Sequence, residues 1–153
     1  MNLKSDRPAK VNIAASERDK IDRNVLVWLN GFPEKPVANF VTESHLPVKD
    51  EGMALSAITN AYINKKYILG GYEAEYNFMV IYRIIPGNSM DKSLKADEML
   101  NRLGDWASQN KPNLGNGIRV TQVTPTSQAE LYALYESGDE DHQISIKITY
   151  EVI

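Results

Sequence analysis

The sequence predicts an α+β fold: a mostly antiparallel sheet, two main helices packed on one face, and a long projecting hairpin. Three observations carry that prediction. From Tyr72 to Ile85 the chain alternates with period two. Tyr72, Ala74, Tyr76, Phe78, Val80, Tyr82 and Ile84 share one face; Glu73, Glu75, Asn77 and Arg83 share the other with two apolar exceptions, Met79 and Ile81. Two stretches, beginning at Ser16 and near Ser89, place apolar residues at helical spacing. The C-terminal residues alternate again, with Ile144, Ile146, Ile148, Tyr150 and Val152 set against Gln143, Ser145, Lys147, Thr149 and Glu151. The order helix, hairpin, helix, strand, hairpin defines the class.

The long strand also bears on assembly. Fourteen extended residues span about 46 Å, whereas a compact domain of this length is only about 40 Å across. Such a strand curls, breaks at a bulge or projects, and a projecting strand needs a neighbouring subunit to cover it. Met79, Ile81 and, on the preceding strand, Tyr62 are therefore candidate subunit-interface residues.

The elements follow in order. Met1 to Ala15, with Lys4, Arg7 and Lys10, is expected to be an arm preceding a single domain over residues 16–153. Ser16 and Asp19 have capping-box spacing; Ile21, Val25, Leu26, Trp28 and Leu29 form a stripe that Asn30-Gly31 and Pro33 end. Phe40 to Leu46 suits a short strand, and Gly52 to Leu69 is ambiguous between helix and strand. A two-residue turn at Gly70-Gly71 would set Leu69 opposite Tyr72, Tyr67 opposite Ala74, Ile63 opposite Phe78 and Ala61 opposite Val80, with Lys66 across from Glu75. Ser89 or Asp91 can cap the second helix, whose stripe is Leu94, Met99, Leu100, Leu103, Trp106 and Ala107. Gly104 within it implies close packing against something bulky. Ile118 to Val123 is a strand that Pro125 interrupts, and Leu131 to Glu136 pairs with His142 to Ile153 around Ser137–Asp141.

Composition narrows the function. The 153 residues are 42% hydrophobic and 24% charged, which supports one ordinary core. A net charge of −3 argues against gripping nucleic acid. There are no cysteines, hence no disulfide, thiolate nucleophile or cysteine-ligated metal. No apolar run approaches the roughly eighteen residues of a membrane span, and no secretory signal is visible, so a soluble protein is expected.

Candidate chemistry is sparse. Asp139-Glu140-Asp141-His142 is the one cluster of metal-ligand types, but neighbouring side chains diverge in a tight turn and the spacing fits no metal motif. With Glu136 it makes four acids and no lysine or arginine between Leu134 and Ile146, the pattern of a solvated acidic tip. His45 and His142 are the only histidines, and Ser44 beside His45 would point the opposite way in a strand. Asp97 and Glu98 diverge on their helix and suit a solvated face. Trp28 and Trp106 suit core packing, and the eight tyrosines suit sheet faces and interfaces. No catalytic residue, metal or cofactor is expected.

Four stretches go further: Arg23–Pro36 (RNVLVWLNGFPEKP), Lys65–Tyr76 (KKYILGGYEAEY), Leu94–Trp106 (LKADEMLNRLGDW) and Tyr135–Ile144 (YESGDEDHQI). Over roughly Ile21 to Ile153 the chain resembles the minor capsid proteins of Gram-positive siphophages and prophages, a group similar to the tail terminators of long-tailed phages. The resemblance implies a structural virion protein made in the host cytoplasm. It implies a homohexameric ring that ends the tail tube and joins it to the head connector or stopper. Viral DNA would pass through without specific binding, and the turn of Glu136, Asp139, Glu140 and Asp141 would face the channel. The alternatives are another neck ring, a monomeric ligand- or peptide-binding α+β module, and an enzyme using His45 or His142.

Overall fold

The computed structural model describes residues 11–48, 50–56 and 61–153. The basic positions Lys4, Arg7 and Lys10, and Ile58 in the ambiguous stretch, lie outside the described residues. The elements are β1 (Val11–Asn12), α1 (Ala15–Leu29), β2 (Phe40–Thr42), a 3-10 turn (Glu43–His45), β3 (Gly52–Ser56), β4 (Ala61–Lys66), β5 (Tyr72–Ile84), α2 (Met90–Gln109), β6 (Ile118–Pro125), β7 (Glu130–Leu134) and β8 (Glu140–Val152). All the described strands join one sheet, antiparallel except for the parallel pair β2–β3. This is the expected α+β architecture.

The sheet is built on β5 and β8, paired residue for residue from Tyr72↔Val152 to Ile84↔Glu140. Shorter strands flank each side: β4 and β3 along β5, β6 and β7 along β8. The alternation in sequence becomes the two faces of this pair. Ala74, Tyr76, Phe78, Val80, Tyr82 and Ile84, with Ile144, Ile146, Ile148 and Tyr150, are buried beneath both helices. Rather than overhanging the domain, β5 is paired along its length. What stands free is its turn, where Ile68 and Leu69 are 101% and 100% exposed.

Tyrosines tie α1 to the sheet. The Tyr72 and Tyr150 hydroxyls both donate to Glu17, and Tyr76 donates to Asp22. Burial, reinforced by the Glu17 carboxylate, pushes the Tyr72 phenol up to about 12. Hydrogen bonds to charged groups contribute about 1.5–3 kcal/mol each, so the carboxylates of α1 act as anchors. Trp28 stacks on Trp106 with centroids 5.2 Å apart, joining α1 to α2.

Several boundaries differ from expectation. Asn12 and Ile13 belong to the domain: β1 pairs with β4, and Ile13 is buried. Helix α1 starts at Ala15 with Ala14 as N-cap, so Ser16 does not cap it. Ser89 does cap α2, accepting from the Lys92 amide at 3.1 Å. Leu94 is 52% exposed, because the buried stripe runs through Ala96, Met99, Leu100, Leu103, Gly104 and Ala107 instead. At Gly104 an added Cβ would lie 2.9 Å from Ile144 Cδ1, the close packing its sequence position implied.

The β4–β5 hairpin is corrected in register. Its turn spans Tyr67 to Gly71, closed by the Tyr67 amide on the Gly71 carbonyl at 3.1 Å. Ala61 therefore faces Tyr76 and Ile63 faces Ala74, four residues from the expected pairing. An even slip preserves the faces. A bulge between Ile63 and Lys65 then reverses them. Lys65 reaches Glu73 at 3.2 Å, in place of the expected Lys66–Glu75 pair. Tyr67 leaves the apolar face and donates to Glu151.

Gly70 and Gly71 both have positive φ, but their surroundings differ. A Cβ at Gly71 would lie 2.3 Å from the Val152 carbonyl oxygen; one at Gly70 meets nothing within 4 Å. Gly70→Ala is therefore expected to destabilise by about 1 kcal/mol, the left-handed strain alone. Gly71→Ala should lose at least twice that in urea melts. Equal losses would show that the turn does not hold the end of β8.

Candidate assembly site at the β7–β8 hairpin

The acidic hairpin tip differs from a simple solvated turn. Strand alternation sends Glu140 and His142 toward α2 and Asp141 to the opposite face. On that opposite face Asp141 is buried, 3% exposed, and takes a two-pronged bond from Arg83: Nε to Oδ1 at 2.8 Å and Nη2 to Oδ2 at 2.9 Å. The Tyr135 hydroxyl donates to Oδ2 at 2.7 Å, and the Arg83 guanidinium stacks on the Tyr135 ring at 5.3 Å. Arg83 also donates to the Pro47 carbonyl, tying in the loop before β3. The bond to Asp141 raises both the Arg83 and the Tyr135 pKa. The four acids are thus not a group lacking a basic partner. Arg83 neutralises Asp141 from another strand, and only Glu136 and Asp139 remain on the tip.

On the helix side, His142 is 2% exposed and lies between two carboxylates: Nδ1 is 2.7 Å from Asp97 and Nε2 2.8 Å from Glu140. Ser93 donates to Glu140 at 2.6 Å. Asp97, expected on a solvated face, is instead part of a convergent acid–base set. With both ring nitrogens engaged and the ring buried, the set fastens α2 to β8. His45 also differs. Its segment is a 3-10 turn rather than a strand, so Ser44 Oγ comes within 3.2 Å of Nδ1 and Thr42 Oγ1 within 2.9 Å. All three are exposed, and the neighbouring Glu43 is engaged by Ser56 at 2.6 Å.

Beside the hairpin lies a hollow of about 230 Å³ lined by Val48, Arg83, Tyr135, Ser137 and Asp139. Next to it, Leu131, Tyr132 and Leu134 are half or more exposed on β7. Among the described strands it pairs only with β8, and apart from Glu130 it is apolar, with neither lysine nor proline. An apolar edge without those residues is a template for association. Of the expected interface residues, Met79 and Tyr62 are half-buried, and Ile81 is 1% exposed, opposite Ala54 and Gln143. Ile81 is therefore a packing residue of the domain itself, and a lysine there would damage the fold. Sequence reasoning missed Arg83, Tyr135 and Val48 because they meet only in the folded chain, where two loops converge on β5; a lone arginine beside apolar Ile81 was the available signal.

A second hollow of about 390 Å³ lies between α1 and β2–β3, lined in part by Leu26, Leu55, Thr42 and Ser44. Among the described residues no three His, Asp or Glu side chains are arranged so that they could hold a metal ion. No described helix is long and apolar enough to cross a membrane. The chain matches no protein-family model and no curated protein.

The Glu140 carboxyl tests the tie to α2. Burial raises its pKa, but the bonds from Ser93 and His142 outweigh burial and hold it below the ordinary value. A lowered folded-state pKa gives stability that is present above the unfolded value and lost as pH falls through the folded one. Glu140→Gln should lose about 1–2 kcal/mol at neutral pH, and the difference from wild type should shrink as the pH falls below the ordinary carboxylate range. A penalty that stays constant with pH would contradict this role.

Proposed function

We propose that the chain is a structural virion protein, six copies of which close into a ring that ends a phage tail tube and joins it to the head connector or stopper. DNA passes through the ring without being specifically bound, and no catalysis is involved. The supporting observation is the placement of two unlike exposed patches on one sheet. The fully exposed Ile68–Leu69 turn lies at the Tyr72–Val152 end of the central pair. The hollow beside Tyr135 lies at the Ile84–Glu140 end, where the β7 edge is on the other side of the pair. At about 3.3 Å per residue the two ends are roughly 40 Å apart. One subunit thus offers two different surfaces to two different neighbours, the requirement for a heterologous contact that closes into a ring. The resemblance of the sequence to phage minor capsid and tail-terminator proteins supplies the place of that ring, the neck of the virion.

A different neck ring, such as a head-completion or stopper protein, would use the same geometry. The hollow between α1 and β2–β3 favours a third reading, a monomeric ligand-binding module. Particles assembled without the chain separate these readings. The proposal expects unjoined heads and tails of uncontrolled length. Unjoined heads with tails of normal length would favour the other neck ring, and normal particles would contradict both.

A further inference from the structure

We infer that the subunit contact is made by the β4–β5 turn of one copy entering the hollow beside Tyr135 of the next copy. The inference rests on the ring reading for closure, but its chemistry stands on the two surfaces themselves. Ile68 and Leu69 are solvated in the isolated subunit, at 101% and 100% exposure. They sit on a rigid turn, because the Tyr67 amide bonds Gly71 and the Tyr67 hydroxyl bonds Glu151 at 2.7 Å. A prepared apolar knob loses little freedom on docking.

The hollow is prepared as well. Tyr135 is fixed by its bond to Asp141 and by the Arg83 guanidinium on its ring. Val48, 83% exposed, supplies an apolar wall. Tyrosine and arginine in a shaped pocket are the residue types that dominate binding energy at interfaces. Charge selects the partner. Lys65 is matched by Glu73 in its own chain, so Lys66 sets the sign beside the knob, whereas Asp139 lines the hollow and Glu136 is exposed on the same tip. Asp141 already matches Arg83, so Glu136 and Asp139 set the sign of the rim. The occupant is therefore basic and apolar, as the turn of a second copy is. A subunit cannot fill its own hollow, since knob and hollow lie at opposite ends of the thirteen-residue pair of strands β5 and β8.

The absence of cysteine makes a direct test available. A Leu69→Cys, Ser137→Cys double variant, treated with a short thiol–thiol cross-linker, should give a ladder of oligomers ending in a closed ring. The two single variants mixed should give dimers only, and each alone should give none. Lys66→Glu should weaken association by roughly tenfold at low salt, and Asp139→Lys in the same chain should restore most of it. Both positions are solvent-accessible, so unchanged thermal melts would separate lost contact from lost fold. The cross-linking is read in concentrated solution and in assembled particles. No ladder in either, or a single variant that cross-links to itself, would overturn the contact. A six-fold ring at the tail without the cross-link would leave the proposed function standing and remove this interface. A cross-linked ring found elsewhere would do the reverse.

Discussion

The fold depends on the antiparallel pairing of β5 with β8. Thirteen consecutive partners fix which side chain of either strand faces the helices. A slip of one residue would turn the apolar set of one strand, Tyr76 and Phe78 or Ile146 and Ile148, away from the core. The pair also organises the remaining strands, because β3 and β4 find their places along β5, and β6 and β7 along β8. A long, fully paired ladder gives the domain two distant ends whose separation is set by strand geometry rather than by loops.

Polar contacts then assign different roles to the two ends. At the Tyr72 end, Glu17 receives two tyrosine hydroxyls and holds α1 over the sheet. At the Glu140 end, consecutive residues work on opposite faces: Glu140 and His142 hold α2 through Ser93 and Asp97, while Asp141 holds Arg83 and Tyr135. The hairpin tip is thereby rigid on both sides, although its sequence reads as a solvated acidic turn. Rigid features beside exposed apolar residues suit a protein whose task is shape and symmetry.

Much of the fold was legible because periodicity speaks directly about faces. The alternation of Tyr72–Ile84 and of Ile144–Val152 named the core residues, and Ser89 and Gly104 announced a cap and a close helix contact. The hairpin register was less legible. A bulge near Asn64 leaves no mark in composition, and the sequence favoured the shorter turn at Gly70-Gly71. The site was legible only in part. Its acids were visible, but Arg83 lies 58 residues from Asp141 and 52 from Tyr135, and tertiary structure brings them together. The meeting of Asp97 with His142 was missed for the same reason, since a helix and a strand come together there through tertiary packing. Ile81 misled because an apolar residue on a polar face can be covered within its own subunit.

The central claim is that this domain acts as one subunit of a closed ring at the head-proximal end of a tail. Imaging assembled particles with this chain located in the density tests it most directly. The account predicts a single ring of six copies at that end, each touching two neighbours through different surfaces. Five-fold or twelve-fold symmetry, or a single copy placed away from the neck, would contradict it.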